Sequence, residues 1–168
     1  LSGQPGAPVF LAILLCWLLA SPWQAAADEG ARHHMFTDFE HLQRPASPNT
    51  WLIAPGETAD ALQADGRAAV FDTTPRSLAD AWQTVITAQP RTVVVAVSDD
   101  GLQIEAEQRS ALFGFVDRIS FQAVPSADAR ASYFAYSRSQ TGYWDLGVNR
   151  RRLSEWTTAL HNAVAGTR

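Results

Sequence analysis

Arg150, Arg151 and Arg152 stand together in a chain whose thirteen basic residues are all arginine. They close the segment SRSQTGYWDLGVNRRR, residues 137–152, in which Ser137, Ser139, Asp145 and Asn149 surround a Tyr143-Trp144 pair, with glycines at 142 and 147. Serine chemistry would need a general base within hydrogen-bond reach, itself oriented by a third group. The histidines are His33, His34, His41 and His161, and no G-x-S-x-G elbow exists, so a hydrolase is a distant alternative. His33, His34, Asp38 and His41 have the ligand types for a metal but not the spacing of a defined site, and solvated histidines are the expectation. Glu105 and Glu107 share a strand face opposite the apolar one, which places them in solvent, and Asp99-Asp100 sits in a turn. No catalytic residue, metal site or cofactor is expected.

The 137–152 segment has a structural reading and a binding reading. In the structural one, Gly142 and Gly147 bend the loop, Asn149 caps the helix that follows, and Asp145 pairs with Arg152 or Arg138. The arginines fit it poorly: cations in a helix's first turn oppose its dipole, costing a few tenths of a kcal/mol each. Glu155, four residues after Arg151, offsets little in that orientation. Arg150 and Arg151 are therefore expected to face an outside anion, with Tyr143 and Trp144 suited to a membrane interface or a protein hot spot. The docking set is Arg138, Tyr143, Trp144, Asp145, Asn149, Arg150, Arg151 and Arg152. Arg109 either points inward, with Asp117 or Asp145 as its buried partner, or points outward into solvent. In a ligand-carrier alternative, Arg109 or Arg138 orients a polar head group, with Ser137 and Ser139 beside it.

The elements that must position these residues follow from periodicity. TWLIAP (Thr50 to Pro55) reads as a short strand or an apolar clip, and GETADALQADGRA as a loop or weak helical turn. VFDTTP (Val70 to Pro75) reads as a strand running into a helix, with Thr74 as N-cap and Pro75 at the first helical position. Leu78, Ala81, Trp82, Val85 and Ile86 repeat at helical spacing until Gln89-Pro90. The period then becomes two: RTVVVAV, a turn at SDDG, LQIEAEQ continuing with a register break at Ser110 to Gly114, then Ile119, Phe121 and Ala123, and finally ASYFAYSRS. Leu153, Trp156, Leu160 and Val164 share one face of a closing helix. The fold class is α+β: an antiparallel sheet of about four to six strands covered on one face by two helices.

The chain has 168 residues, 46% of them hydrophobic, enough for one domain with its own core. A net charge of −4 excludes a phosphate-tracking nucleic-acid surface. The single Cys16 excludes an intramolecular disulfide, a CxxC pair and a cysteine-rich zinc site. Val9 to Ala20 is an uninterrupted apolar run, followed by Ala25-Ala26-Ala27. It is shorter than the roughly 20 residues of a membrane-spanning helix and suits a signal-peptide core, although no Lys or Arg precedes it. The expected organisation is a signal peptide or N-terminal anchor over 1–27, an extended lead-in over 28–50, and one α+β domain over 51–168. Export to the periplasm or cell envelope follows.

RPASPNTWLIAP, IEAEQRSALFGFVDRISFQAV and SRSQTGYWDLGVNRRRLSEW resemble the DUF1499 family, bacterial and plastid proteins of unknown function. The resemblance runs from about Arg44 to Leu160. Its most specific part is similar to the family's S-R-S-x-x-G-x-x-D-x-G-x-N-x-x-R signature, met here by Ser137, Arg138, Ser139, Gly142, Asp145, Gly147, Asn149 and Arg152. It implies a family and no activity. The order of elements also looks like part of a START-type helix-grip domain, which would imply an apolar cavity. The expected function is a non-catalytic accessory domain that docks on a membrane protein complex or an anionic membrane surface. The alternative is a carrier of a small apolar or anionic ligand.

Overall fold

The computed structural model describes residues 35–56, 58–112 and 114–166. The signal-peptide expectation and His33-His34 lie outside them. Among the described residues, six strands form one sheet in the order β2-β1-β6-β5-β4-β3: β1 (Thr50–Pro55), β2 (Gly66–Ala68), β3 (Thr92–Val97), β4 (Gln103–Arg109), β5 (Val116–Pro125) and β6 (Ala131–Ser139). Three helices accompany them, α1 (Thr58–Ala61), α2 (Pro75–Thr87) and α3 (Val148–Ala165).

The α+β class holds, with a correction: the sheet is mixed. β1 and β2 run parallel, Ile53 opposite Gly66, while the other strand pairings are antiparallel. The edge strand comes from Gly66–Ala68, within the segment read as a loop, whereas Phe71 makes only an isolated bridge to Ala131. Three residues with a glycine carry no readable period, which is why β2 escaped notice.

Helix α2 begins as its residues dictate. Thr74 Oγ1 accepts a hydrogen bond from the Ser77 amide at 3.1 Å, and Pro75 sits in the first turn, where its missing N–H leaves nothing unpaired. Its buried face, Leu78, Ala79, Trp82, Val85 and Ile86, meets the helix-side residues Ile104, Ala106, Ile119, Phe121 and Ala123. Trp82 stacks on Phe121 with centroids 4.6 Å apart and stands edge-on to Trp156 of α3 at 6.0 Å. This filled layer is the main core.

The opposite face is covered only in part. Phe39 stacks on Phe134 at 4.9 Å and packs with Leu52 and Tyr136, so the lead-in is built into the fold. Glu105 is thereby buried, not solvated as its strand face suggested. It accepts hydrogen bonds from the Thr37 amide at 2.7 Å, Ser120 Oγ at 2.7 Å and Arg118 Nε at 3.0 Å, and Arg118 also donates to the Met35 carbonyl. At the far edge, β3 carries a bulge between Val94 and Ala96, a device that discourages pairing with other chains.

Candidate functional site

Register gathers the site at one end of the sheet. Asp117, the second residue of β5, lies opposite Ser139, the last residue of β6; Thr50 opens β1 opposite Arg138; and Arg109 closes β4 opposite Val116. The connections β4–β5 and β6–α3 leave from this end and are tied together where the Gln140 amide donates to the Val116 carbonyl at 3.1 Å. The first turn of α3 packs over the same end.

Half of the sequence-derived set is internal. Arg152 is 6% exposed and each nitrogen of its guanidinium is engaged: Nε donates to Gln108 Oε1 at 2.7 Å, Nη1 to Ser137 Oγ at 2.8 Å and Asn149 Oδ1 at 2.7 Å, and Nη2 to Asp117 Oδ2 at 2.5 Å. The fork geometry of arginine makes three directions available at once, which a lysine could not match. Asn149 is buried and donates through Nδ2 to the Asn49 carbonyl at 2.8 Å, Asp145 Oδ2 at 2.8 Å and Ser139 Oγ at 3.1 Å. Asn49 Nδ2 donates in turn to the Gly142 carbonyl at 2.6 Å. Together these residues clasp α3 to the sheet.

Several expectations are corrected here. Asn149 is not the N-cap: that position belongs to Gly147, which lies in the left-handed region with φ 75° and has no side chain with which to cap. Asp145 takes over, accepting from the Gly147 amide at 3.0 Å and the Asn149 amide at 2.8 Å, so it pairs with neither Arg152 nor Arg138. Arg152, Asn149 and Ser137 are interior, and Ser137 and Ser139 both hydrogen-bond Asn149 of α3, Ser139 remaining half-buried. Arg109 faces solvent, and Asp117, offered as its partner, belongs to Arg152. The missed signal is the continuation of the buried stripe: Leu153, Trp156 and Leu160 extend backward, at spacings of three and four, through Asn149 and Arg152.

The other half is outside. Tyr143 is 60%, Trp144 71% and Leu146 91% exposed, and the β4–β5 connection adds exposed Leu112 and Phe115, which the sequence reading did not single out. Leu146 is held at φ 53°, a left-handed conformation costly for a branched side chain. Arg150 and Arg151 are exposed, and the Arg150 guanidinium lies 5.2 Å from the Trp51 ring. Arg138, on the face away from the helices, is exposed, and its side chain forms none of the ion pairs found among the described residues.

The sequence model of the family described as "Protein of unknown function (DUF1499)" matches residues 42–160. The chain belongs to the DUF1499 family. Comparison with curated proteins gave no match. A solved structure similar to this DUF1499 domain is TTHA0849 from Thermus thermophilus, at 8% identity and a TM-score of 0.33, over 60% of this chain and 95% of that one. In this DUF1499 domain the signature residues divide cleanly. Ser137, Ser139, Asp145, Asn149 and Arg152 form the clasp, whereas Arg138 lies outside it.

Two chemical arrangements are absent among the described residues. No serine hydroxyl has a histidine in hydrogen-bond reach, His161 packing instead on the Phe71 ring at 4.6 Å. No group of three or more His, Cys, Asp or Glu residues is placed to hold a metal ion. His41 pairs with Asp38 at 2.8 Å; that hydrogen bond lowers the Asp38 pKa and raises that of His41.

Proposed function

We propose that this protein is a non-catalytic accessory domain of the cell envelope that docks through the end of its sheet where β4–β5 and β6–α3 connect. The observation that carries the reading is the exposure of Tyr143, Trp144 and Leu146 on a loop whose base is locked by the buried clasp. Large apolar side chains grouped on a rigid base at a molecule's end are a usual mark of an interaction site. The filled layer between sheet and helices favours docking over a carrier with a deep apolar cavity. Export rests on the Val9 to Ala20 run.

The test is fractionation of cells expressing wild type or the Tyr143→Ser/Trp144→Ser double variant. The variant should stay folded and leave the envelope-bound fraction; equal association of both proteins would end the reading.

One observation supports a second reading, a small anionic ligand. A depression of about 220 Å³ is lined by Thr37, His41, Arg118, Tyr136 and Arg138, on the face away from the helices. Calorimetric titration with short-chain carboxylates and inorganic phosphate, comparing wild type with Arg138→Gln, tests it: equal heats for both proteins would remove it.

A further inference from the structure

The docking reading leaves the partner's chemistry open, and the charges at the same end narrow it. Arg91 opens the β3 side, where its carbonyl accepts from the Arg109 amide at 3.0 Å, and both side chains are exposed. Arg150 and Arg151 flank the other side at the start of α3. None of these four arginines has an ion-pair partner among the described residues. The carboxylates that could neutralise them are committed: Asp117 to Arg152, and Asp145 to the Gly147 and Asn149 amides. Glu107 shares Arg109's face of β4 but forms no ion pair with it and lies across from Arg118, and Glu155 lies one turn further along α3. Apolar tips therefore project from between two pairs of uncompensated cations, on a chain whose net charge is −4.

Resting on that docking reading, we infer that the partner is the headgroup layer of an anionic phospholipid membrane, with Leu112, Phe115, Trp144 and Leu146 entering the interface and Arg91, Arg109, Arg150 and Arg151 meeting lipid phosphates. Trp and Tyr favour this layer because one end of each ring is apolar and the other polar. Arginine meets phosphate through paired N–H donors. The acidic remainder of the molecule is repelled by the same surface, so only this end can face it. Leu146 sharpens the argument. Its left-handed backbone is strained and its side chain touches solvent almost everywhere, so the fold gains nothing visible from a leucine there. An apolar side chain at that tip is explained by what lies beyond the protein. A fluid interface also suits tips carried on two separate connections, since it requires no preformed pockets on the other side.

The test is sedimentation of the full chain with vesicles of phosphatidylglycerol and phosphatidylethanolamine, and with vesicles of phosphatidylcholine alone. Wild type should bind the anionic vesicles at least tenfold better, and the preference should fade with added salt. Arg150→Gln/Arg151→Gln should weaken that binding by about 25-fold, roughly fivefold per arginine. Leu146→Gly should weaken it too while its melting temperature stays level or rises, an outcome that a merely structural leucine would not give. Variants that bind as wild type does, or equal binding to both vesicle types, would overturn the inference. Inorganic phosphate that competes beyond a chloride control of matched ionic strength would point to a soluble anion and overturn it as well. If vesicles are not bound but envelope association still depends on Tyr143 and Trp144, the partner is a protein: the docking reading stands and the lipid assignment falls.

Discussion

Arg152 Nη2 lies 2.5 Å from Asp117 Oδ2, and both side chains are less than a tenth exposed. A buried ion pair of this kind contributes modestly as a pair, but removing one member strands the other in a low-dielectric site. Asp117→Asn should therefore destabilise the protein by about 3 kcal/mol or more, read from the denaturant midpoint. Arg152→Lys should cost nearly as much, because an ammonium cannot reach Gln108, Ser137 and Asp117 together.

Adjacent arginines should respond in opposite ways. Arg151→Glu, on the exposed side of α3, should leave the unfolding midpoint nearly unchanged and abolish envelope association. Arg152→Glu should fail to fold, since it sets a second carboxylate against Asp117. Circular dichroism of the two variants, paired with fractionation, checks the contrast.

Asp145 does the capping that Gly147 cannot. Asp145→Ala should cost about 1–2 kcal/mol by leaving the Gly147 and Asn149 amides without their acceptor. Amide exchange should quicken at the start of α3 first, leaving the far end protected; uniform change along the helix would count against this role.

Glu105 should control the lead-in. Glu105→Ala removes the acceptor shared by the Thr37 amide, Ser120 and Arg118. Proteolysis near residues 35–42 should accelerate well before global unfolding, and unchanged cleavage would show that Phe39 stacking alone holds the segment.

Tyr133 predicts an alkaline limit. Burial raises its hydroxyl to about 12, whereas the unfolded chain ionises near the usual value of about 10. Because the folded pKa is the higher, the stabilisation is fully present below pH ~10 and is lost as pH rises through about 12. The fall in unfolding free energy between pH 9 and pH 11.5, read from denaturant titrations, should be smaller in Tyr133→Phe, by on the order of 1 kcal/mol.

The helices and the long strands were legible because periodicity is local. Trp82 and Ile86 recur at helical spacing, Ile119, Phe121 and Ala123 alternate, and Thr74-Pro75 announces a helix start by covalent geometry alone. The family signature was likewise written in contiguous residues. The position of β2 was not legible, because Gly66–Ala68 acquires strand character only by lying parallel to β1. The fate of each charge was even less so. Asp117 and Arg152 are 35 residues apart, and Glu105 is 68 from Thr37; only register and layer order bring them together.

The sequence by itself determined the α+β class, both long helices, the core stripes and the family; the exposure of Tyr143 and Trp144 came from the structure. Only the tertiary structure decided which arginines are spent inside and which face outward. Side-chain direction at a helix start depends on how the helix rolls against the sheet, and that roll is set by packing at Leu153, Trp156 and Leu160. A rotation of one residue would have put Arg151 inside and Arg152 in solvent.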